Sequence, residues 1–445
     1  MNLETVKSFI LWILVLLSLV LTFSLWNYQP NFEDSKNNKY VDQVNIGGKK
    51  QTKQEIIEPK SIIFHNGKTY YGFSDPNEQQ SLYQDMQSWV LNNVQTSNQQ
   101  GVPNEEKQLE IIFPVSLPMQ TAKSLFTFSE EKFLPEWSFK KIYITFNRDD
   151  SVLNVIFVSD NGEQRVTAVV NNSKKYDLLW RYLTTFEGLK EYKLVKSGSN
   201  PYYVPKHQIT MSRKVLTINT IDPLKFRNAL FAKPEIVSRN QNHQNEVYFT
   251  DGVRGLRVIE DMKLMKFDNP YESSERPLPD EELITRSLQS INDRKGWTDE
   301  YNLMRIDSKG NEIRYQMYYN GYPIYSNAGL SMIRQIWQPT ELSVDLNNYE
   351  RPLFRLNDLI NEKEITLKSV DEVLSYMESK SSYKLEEISD LQVGYHLSYQ
   401  DIDSNNVVKL QPAWFVEYNG DWKQIEFHES TQHREGGAED AMETN

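Results

Sequence analysis

The sequence predicts an α+β protein with a single N-terminal transmembrane helix followed by a three-domain mixed extracytoplasmic region. An apolar run from Phe9 to Trp26 contains no charged residue. Beyond it, alternating apolar and polar residues bounded by Asn-Gly and Asp-Gly turns indicate strands and hairpins. One order of helix, strands and Asn-Gly hairpin occurs twice, around 280–337 and 369–427. We therefore expect the last two domains to be similar in topology.

The apolar run is long enough to cross a bilayer. Its eighteen residues give about 27 Å of helix, close to the thickness of the hydrocarbon core. Trp26 and Tyr28 lie where interfacial aromatic anchors are expected. Lys7 precedes the run, whereas Glu33 and Asp34 follow it, which favours a cytoplasmic N-terminus and an extracytoplasmic bulk. The residues after the run are bulky, so we expect an uncleaved anchor in the cell membrane and not a signal peptide.

One face of this helix carries hydroxyl groups. Ser18 and Thr22 are four residues apart, and Leu11 and Leu25 are roughly aligned with them. Small or hydroxylated residues at this spacing allow two helices to approach closely and to share a hydrogen bond. The alternative is that both hydroxyls bond to carbonyl groups of their own helix. We interpret these four residues as a transmembrane interaction face.

Composition excludes several classes of protein. The chain has 61 acidic and 49 basic residues and a net charge of −12, which argues against nucleic acid as a partner. The same charge argues against tight binding to anionic lipid headgroups or anionic wall polymers. There is no cysteine, so disulfides and thiolate metal sites are excluded. With 12% aromatic residues, the extracytoplasmic region is expected to fold.

The chain divides into seven segments by composition and pattern. We predict a cytoplasmic leader (1–7), a transmembrane helix (8–28), a polar tether (29–59), an N-terminal α+β ectodomain (60–205), a middle α+β domain (206–349), a C-terminal α+β domain (350–430) and a frayed acidic tail (431–445).

Elements of the first domain follow from local patterns. Asn66-Gly67 predicts a hairpin near its start. Apolar spacing predicts helices over 78–96 and 175–189, and alternation predicts strands at 109–113, 141–146, 152–158 and 165–170.

The later domains repeat one order of elements. We predict helices at 223–231, 281–292 and 370–378, and strands at 215–219, 247–259 (a hairpin turning at Asp251-Gly252), 301–306, 312–319, 322–325, 329–337, 391–399, 413–418 and 422–427.

Motifs for catalysis and metal binding are incomplete. Ser138 and Lys141 match Ser-x-x-Lys, but Lys141 begins an alternating strand pattern, whereas the serine of a penicillin-binding enzyme opens a helix. A calcium-loop pattern starting at Asp401 lacks the required glycine and glutamate. The six histidines form no helical ligand pair, and no glycine-rich phosphate loop occurs. We therefore expect no enzyme activity, no metal and no cofactor.

Tyrosines cluster in one predicted hairpin. Tyr315, Tyr319, Tyr322 and Tyr325 are candidates for an exposed binding surface of the ectodomain. Alternation along a hairpin would place about half of such residues in the core, which is the competing interpretation.

Three stretches carry a resemblance to a known family. Ser24-Leu-Trp-Asn-Tyr28, Tyr319-Asn-Gly-Tyr-Pro-Ile-Tyr-Ser-Asn327 and Gln411-Pro-Ala-Trp-Phe-Val-Glu417, together with the single span and the length, resemble the YycH family. That family regulates the YycG/YycF (WalK/WalR) cell-wall two-component system of Firmicutes from outside the cell. The last two stretches also look like the companion protein YycI.

The resemblance implies three ectodomains and a membrane complex with the sensor histidine kinase and a YycI-like protein. It supplies no catalytic or cofactor residues. We expect a non-enzymatic regulator that restrains the kinase through transmembrane helix contacts. The alternative is a cell-wall-associated binding protein or chaperone that its helix merely tethers. A hydrolase acting on peptidoglycan is a third and weaker hypothesis.

Overall fold

Two large, mainly antiparallel sheets form the framework of this computed structural model. The structure describes residues 44–130, 132–147, 151–196, 201–241, 245–270, 276–341, 343–380, 383–400, 406–418 and 420–427, with Leu14, Val15 and Ser18. The predicted α+β class is confirmed. Among the described residues, no helix has both the length and the apolar character needed to span a bilayer.

The first sheet has ten strands in the order β10-β9-β2-β1-β4-β6-β7-β8-β3-β5. All neighbours are antiparallel except β3 and β5. Its strands are β1 (Ser61–Asn66), β2 (Thr69–Phe73), β3 (Val90–Ser97), β4 (Lys107–Pro118), β5 (Thr127–Phe128), β6 (Ser138–Asn147), β7 (Val152–Ser159), β8 (Arg165–Val170), β9 (Leu189–Val195) and β10 (Tyr202–Pro205).

Helices accompany this sheet, and two of them have clear start signals. In α2, Asp75 caps the N-terminus and Pro76 occupies the first turn; in α4, Asn172 accepts two backbone N–H groups. Phe64 of β1 packs against Tyr182 of α4 at 5.4 Å between ring centroids. The helices are α1 (Lys53–Ile56), α2 (Pro76–Gln87), α3 (Ala122–Leu125) and α4 (Ser173–Thr185), with a 3₁₀ turn at Met119–Thr121.

The second sheet has fourteen strands, and twelve follow the order β12-β13-β14-β15-β20-β19-β17-β18-β22-β23-β11-β21. In addition, β16 pairs with β17 and β24 pairs with β23. Its strands are β11 (Ile209–Thr220), β12 (Ser238–Gln241), β13 (Glu246–Thr250), β14 (Gly255–Ile259), β15 (Leu264–Asp268), β16 (Glu300–Asp307), β17 (Glu312–Tyr319), β18 (Tyr322–Tyr325), β19 (Met332–Pro339), β20 (Val344–Pro352), β21 (Phe354–Leu367), β22 (Ile388–Tyr399), β23 (Val407–Tyr418) and β24 (Asp421–Gln424).

Three helices lie in the same half of the chain. They are α5 (Pro223–Leu230), α6 (Asp280–Asn292) and α7 (Val370–Glu378), with 3₁₀ turns at Pro234–Ile236 and Leu385–Glu387. Both α6 and α7 precede an antiparallel strand pair and a short third strand, as the repeated sequence pattern predicts. The Asn320-Gly321 turn between β17 and β18 has positive φ at both residues, the conformation for which Asn-Gly is favoured.

The two halves share one apolar core. β4 of the first sheet packs against β16 and α6 of the second half. β11, which the sequence assigns to the middle domain, pairs with β21 and β23 of the C-terminal segment. The predicted boundary at 349/350 falls inside β20. The second half is therefore built around one sheet that both predicted domains contribute to.

Two predicted segments differ from the structure. The helix expected over 78–96 ends at Gln87, and the residues from Val90 form strand β3. The tether expected over 29–59 is packed from Val44 onward, with Ile56 and Ile57 fully buried. In both segments, apolar side chains such as Ile56 and Leu91 are buried in a core formed by residues distant in the sequence. A local sequence pattern does not reveal such contacts.

Candidate functional site

The four predicted tyrosines do not form one exposed surface. Tyr315 is fully buried and packs edge-on against Trp297, because β17 is an interior strand covered by α6. Tyr325 is also buried. Tyr319 and Tyr322 are half-buried. Tyr315 and Tyr325 are therefore core residues, as alternation along the hairpin allowed.

Tyr325 and its neighbours make an aromatic cluster around β22 and β23. Tyr325 lies 4.4 Å from Phe415 and 5.7 Å from Trp422, measured between ring centroids. Tyr319 and Tyr322 both pack against Tyr395, at 6.3 and 6.1 Å. These contacts join the hairpin of the middle segment to the C-terminal segment, so their role is packing between the two repeats.

Tyr322 also lines a cleft between the first sheet and the second half. The cleft has a volume of about 100 Å³, and Tyr192, Tyr318 and Pro323 contribute to its wall. This volume is below the range of about 300–1,000 Å³ that is typical of small-molecule sites. We call this cleft the seam between the halves.

Residues of the seam wall make polar contacts between the two halves. The amide of Asn302 accepts from the backbone N–H of Glu58 and donates to its carbonyl, both at 3.0 Å. Lys60 forms an ion pair with Asp390, and both side chains are about nine-tenths buried. The Lys60 ammonium also lies 5.8 Å from the Trp422 ring. Residues 58–60 thus connect the first sheet to β16, β22 and β24.

Burial in the seam disfavours the charged form of two ionisable side chains, Glu58 and Lys190. Burial raises the pKa of Glu58, and the charge of Glu300 raises it further, against a hydrogen bond from Gln80 that lowers it. Burial lowers the pKa of Lys190. Each shift reflects loss of hydration as the halves meet.

A second polar centre lies within the first sheet. Glu110 is buried, and its Oε1 accepts from the Lys141 ammonium at 2.7 Å and the Tyr143 hydroxyl at 3.2 Å. Its Oε2 meets His65 Nε2 at 3.0 Å and accepts from the Tyr203 hydroxyl at 2.8 Å. Burial alone would raise the pKa of Glu110, but the bond from His65 and the charge of Lys141 lower it to about 2. Both oxygens are occupied, so the cluster ties four strands together.

The described residues contain no evident centre for catalysis or metal binding. Ser138 and Lys141 lie on strand β6, and Lys141 is engaged by Glu110. Within the described ranges, no group of three His, Cys, Asp or Glu side chains could hold a metal ion.

The segment closest in sequence to the predicted span binds the second half of the molecule. We call residues 44–51 the strap. The backbone N–H groups of Ile46, Gly48 and Lys49 donate to the carbonyls of Arg294, Lys295 and Trp297, each at 3.0 Å.

Side chains reinforce the strap. Gln51 N–H donates to Asn292 Oδ1 at 2.8 Å, and Asn292 Nδ2 donates to the Gln51 carbonyl at 2.7 Å. Ile46 and Trp297 are buried. A Cβ on Gly48 would lie 2.3 Å from the Trp297 carbonyl oxygen, so only glycine fits there. Sequence reasoning placed this stretch, including Gly47 and Gly48, in the polar tether and did not predict the strap.

The predicted membrane face lies almost wholly outside the described residues. This applies to Leu11, Thr22, Leu25, Trp26 and Tyr28. Ser18 is described, and like Leu14 and Val15 it is helical.

Comparison with known proteins identifies the family. The model of the YycH protein N-terminal domain matches residues 4–187, and that of the YycH protein C-terminal domain matches residues 199–432. The chain is 24% identical over 442 residues to the Two-component system WalR/WalK regulatory protein YycH of Bacillus subtilis (strain 168), which covers 94% of this chain and 96% of the relative. The crystal structure of YycH from Bacillus subtilis matches with a TM-score of 0.69 and 22% identity, covering 85% of this chain and 99% of that one. The chain belongs to the YycH family.

Proposed function

We propose that this protein is a non-enzymatic, membrane-anchored regulator of the sensor histidine kinase in a WalR/WalK-type two-component system. The observation that carries the proposal is the family relationship, which extends over both halves of the chain and includes a relative named as a regulatory protein of that system. In this proposal the protein is a single-pass protein of the cell membrane, with a cytoplasmic N-terminus and three extracytoplasmic domains, the last two alike in topology.

The proposed contact with the kinase lies in the membrane. Ser18, Thr22, Leu11 and Leu25 would form the face that meets a helix of the kinase or of a YycI-like companion. Interhelical contacts of hydroxyl groups in membranes contribute about 0.6–2 kcal/mol. A regulator shifts a two-state kinase only by its differential affinity for the two states. A coupling of about 1–3 kcal/mol would change output about 5–150-fold, and we propose restraint as its direction.

In this proposal, the strap mechanically connects the transmembrane helix to the second half of the ectodomain. It follows the proposed span and is fixed by hydrogen bonds to the end of α6, before the chain enters the first sheet. A change in the position of the anchor would therefore act on the second half of the protein directly. The strap supports a regulator whose ectodomain and helix move together.

The test uses the full-length protein in cells that carry a transcriptional reporter of the kinase's regulon. We would compare the native span, a scrambled apolar span and the double variant Ser18→Leu with Thr22→Leu. Ser24→Leu is the matched control, because it makes the same change about 200° around the helix from Thr22. Each form is also tested for co-purification with the kinase and the YycI-like protein from membranes.

We expect the scrambled span and the double variant to lose co-purification and reporter control, and Ser24→Leu to retain both. Loss with the scrambled span alone would move the contact to another helix face. If every form behaves like the wild type, the helix is only a tether. The chain would then be better explained as a tethered wall-binding protein or chaperone.

A further inference from the structure

A basic cavity lies where the described chain begins. It has a volume of about 500 Å³, and its wall includes Val44, Asn45 and three lysines, Lys50, Lys225 and Lys295. The acidic residue in its wall is Asp293. Among the described residues, none of the three lysines has an ion-pair partner within 4 Å. A local positive site thus interrupts a chain whose net charge is −12.

The walls of this cavity are held by specific contacts. The strap contributes Lys50, helix α5 contributes Lys225, and the turn after α6 contributes Lys295. Arg294 links two of these elements, because its guanidinium donates to the Ala229 carbonyl of α5 at 3.2 Å. Gly48 N–H donates to the Lys295 carbonyl, which links the strap to the turn. The three lysines are therefore presented by a built surface and not by one exposed loop.

Two of the lysines occupy positions that the fold itself does not favour. Lys295 follows α6 with φ near +48°, a left-handed position usually taken by glycine or asparagine. Lys225 lies in the first turn of α5, where the positive end of the helix dipole disfavours a cation. Among the described residues, no ion pair offsets the backbone strain at Lys295 or the unfavourable helix-dipole interaction at Lys225. An anion in the cavity would offset both.

The position of the cavity along the chain indicates the source of the anion. Val44, which lines it, is sixteen residues after Tyr28, the end of the proposed span. Even a fully extended chain of that length reaches only about 55 Å. The proposed anchor therefore keeps the cavity close to phospholipid headgroups, and a tethered site meets them at high effective concentration.

We propose that the cavity of Lys50, Lys225 and Lys295 docks on the membrane surface by binding the phosphate of anionic phospholipid headgroups. This inference rests on the proposed membrane anchor, and it goes beyond it by orienting the ectodomain on the bilayer. Each lysine near an anionic surface contributes about five-fold to the docking constant. High salt weakens such docking, since the contacts are electrostatic and partly exposed.

The experiment uses the full-length protein in lipid nanodiscs, with insertion checked by co-elution. Because the chain has no cysteine, Asn228→Cys on the cavity wall gives a single labelling site for a fluorophore. A spin label on the headgroup of a zwitterionic lipid, at constant fraction, quenches fluorescence when the cavity approaches the bilayer. Discs of phosphatidylcholine are compared with discs that also contain phosphatidylglycerol.

We expect stronger quenching in the discs with phosphatidylglycerol and a return to the phosphatidylcholine level in the triple variant Lys50→Gln, Lys225→Gln, Lys295→Gln. The matched control replaces Lys68, Lys174 and Lys309 by Gln. These exposed lysines lie elsewhere on the surface, so the control changes net charge equally and should keep the effect.

Equal quenching in both lipids would overturn the inference, and so would equal loss in the control triple variant. Release by inorganic phosphate at constant ionic strength would also overturn it, because it would indicate a site for free phosphate. The kinase reporter separates this inference from the proposed function. If quenching depends on the lipid but the reporter is not controlled, the proposed regulatory function is contradicted and the docking proposal stands. If the reporter is controlled but quenching does not depend on the lipid, the docking proposal is contradicted and the regulatory function stands.

Discussion

The buried carboxylate of Glu110 allows a sharp prediction about stability and pH. Its pKa falls from the ordinary 4.5 to about 2 on folding, because the bond from His65 and the charge of Lys141 outweigh the effect of burial. Such a difference corresponds to about 3 kcal/mol of stability at neutral pH. Since the folded pKa is the lower one, this contribution is present above about pH 4.5 and is lost as the pH falls towards 2.

The perturbation is Glu110→Gln, which keeps the shape and removes the charge. Its amide would place an N–H group against side chains that already donate, among them Tyr203 and Lys141. We expect the free energy of unfolding at pH 7 to fall by about 3 kcal/mol, in the range for breaking a buried ion pair. The deficit should shrink below pH 4.5 and become small near pH 2, where the unfolded carboxyl is neutral and the folded wild-type carboxyl is about half protonated.

The assay is urea unfolding of residues 44–445, followed by far-UV circular dichroism from pH 7 to pH 2.5. Glu105→Gln is the control, because it makes the same change on an exposed side chain five residues away. That variant should stay within about 0.5 kcal/mol of the wild type. A Glu110→Gln protein as stable as the wild type at pH 7, or a deficit that persists undiminished to pH 2.5, would refute the reasoning.

Three further predictions concern the second half and the strap that binds it. Arg351→Met should lower the free energy of unfolding by about 3 kcal/mol in urea titration, because the buried guanidinium donates to the Gly296 carbonyl at 2.6 Å. Gly48→Ala should remove hydrogen-exchange protection from residues 46–49 in mass spectrometry, because its Cβ would clash with the Trp297 carbonyl. Burial raises the pKa of Asp299 to about 6, against hydrogen bonds that lower it, so stability from this group falls as the pH rises from about 4 through 6. Asp299→Asn should abolish that fall, and a slope equal to the wild type's would contradict it.

Turn chemistry made much of the second half predictable from the sequence. Asn320-Gly321 can adopt positive φ at both positions, which fixes the register of β17 and β18 on either side of it. The predicted bounds of β17, β18 and α7 agree with the structure. Short-range signals of this kind predict structure reliably because the same few residues determine both the turn and the strand pairing beside it.

Strand β3 shows why a periodic pattern failed elsewhere. The predicted helix extended over Val90 and Val94, but Val90 is exposed, and the buried residues are Leu91 and Val94, three residues apart. In the structure, Asn93 has φ near +50°, and the pairing with β8 shifts between Asn92 and Gln95. This bulge inserts an additional residue, so two inward-facing side chains of a strand acquire the separation expected in a helix. The spacing of apolar residues in the sequence cannot distinguish a bulged strand of this kind from a helix.

Sequence patterns report local hydrophobicity and not contacts between distant residues. The apolar run and its hydroxyl face stay a prediction, since they lie almost wholly outside the described residues. The strap was not predicted, because it is a polar stretch whose partners are about 240 residues away. The basic cavity has the same origin, since Lys50, Lys225 and Lys295 are far apart in the chain. Tyr315 was misleading for the opposite reason, because an aromatic residue suits both an exposed groove and the centre of a covered sheet.

The strength of the strap bears on whether it could transmit a signal at all. Three backbone bonds and the reciprocal pair between Gln51 and Asn292 hold it, and each contributes about 1 kcal/mol net. The total of about 5 kcal/mol exceeds the coupling of about 1–3 kcal/mol that a regulator of this kind would exert. The strap would therefore stay bound to the second half while the anchor exerts this coupling energy. Loss of its three backbone bonds, as we expect for Gly48→Ala, would leave about 2 kcal/mol, which lies within the range of the coupling, so the anchor would detach before it moved α6.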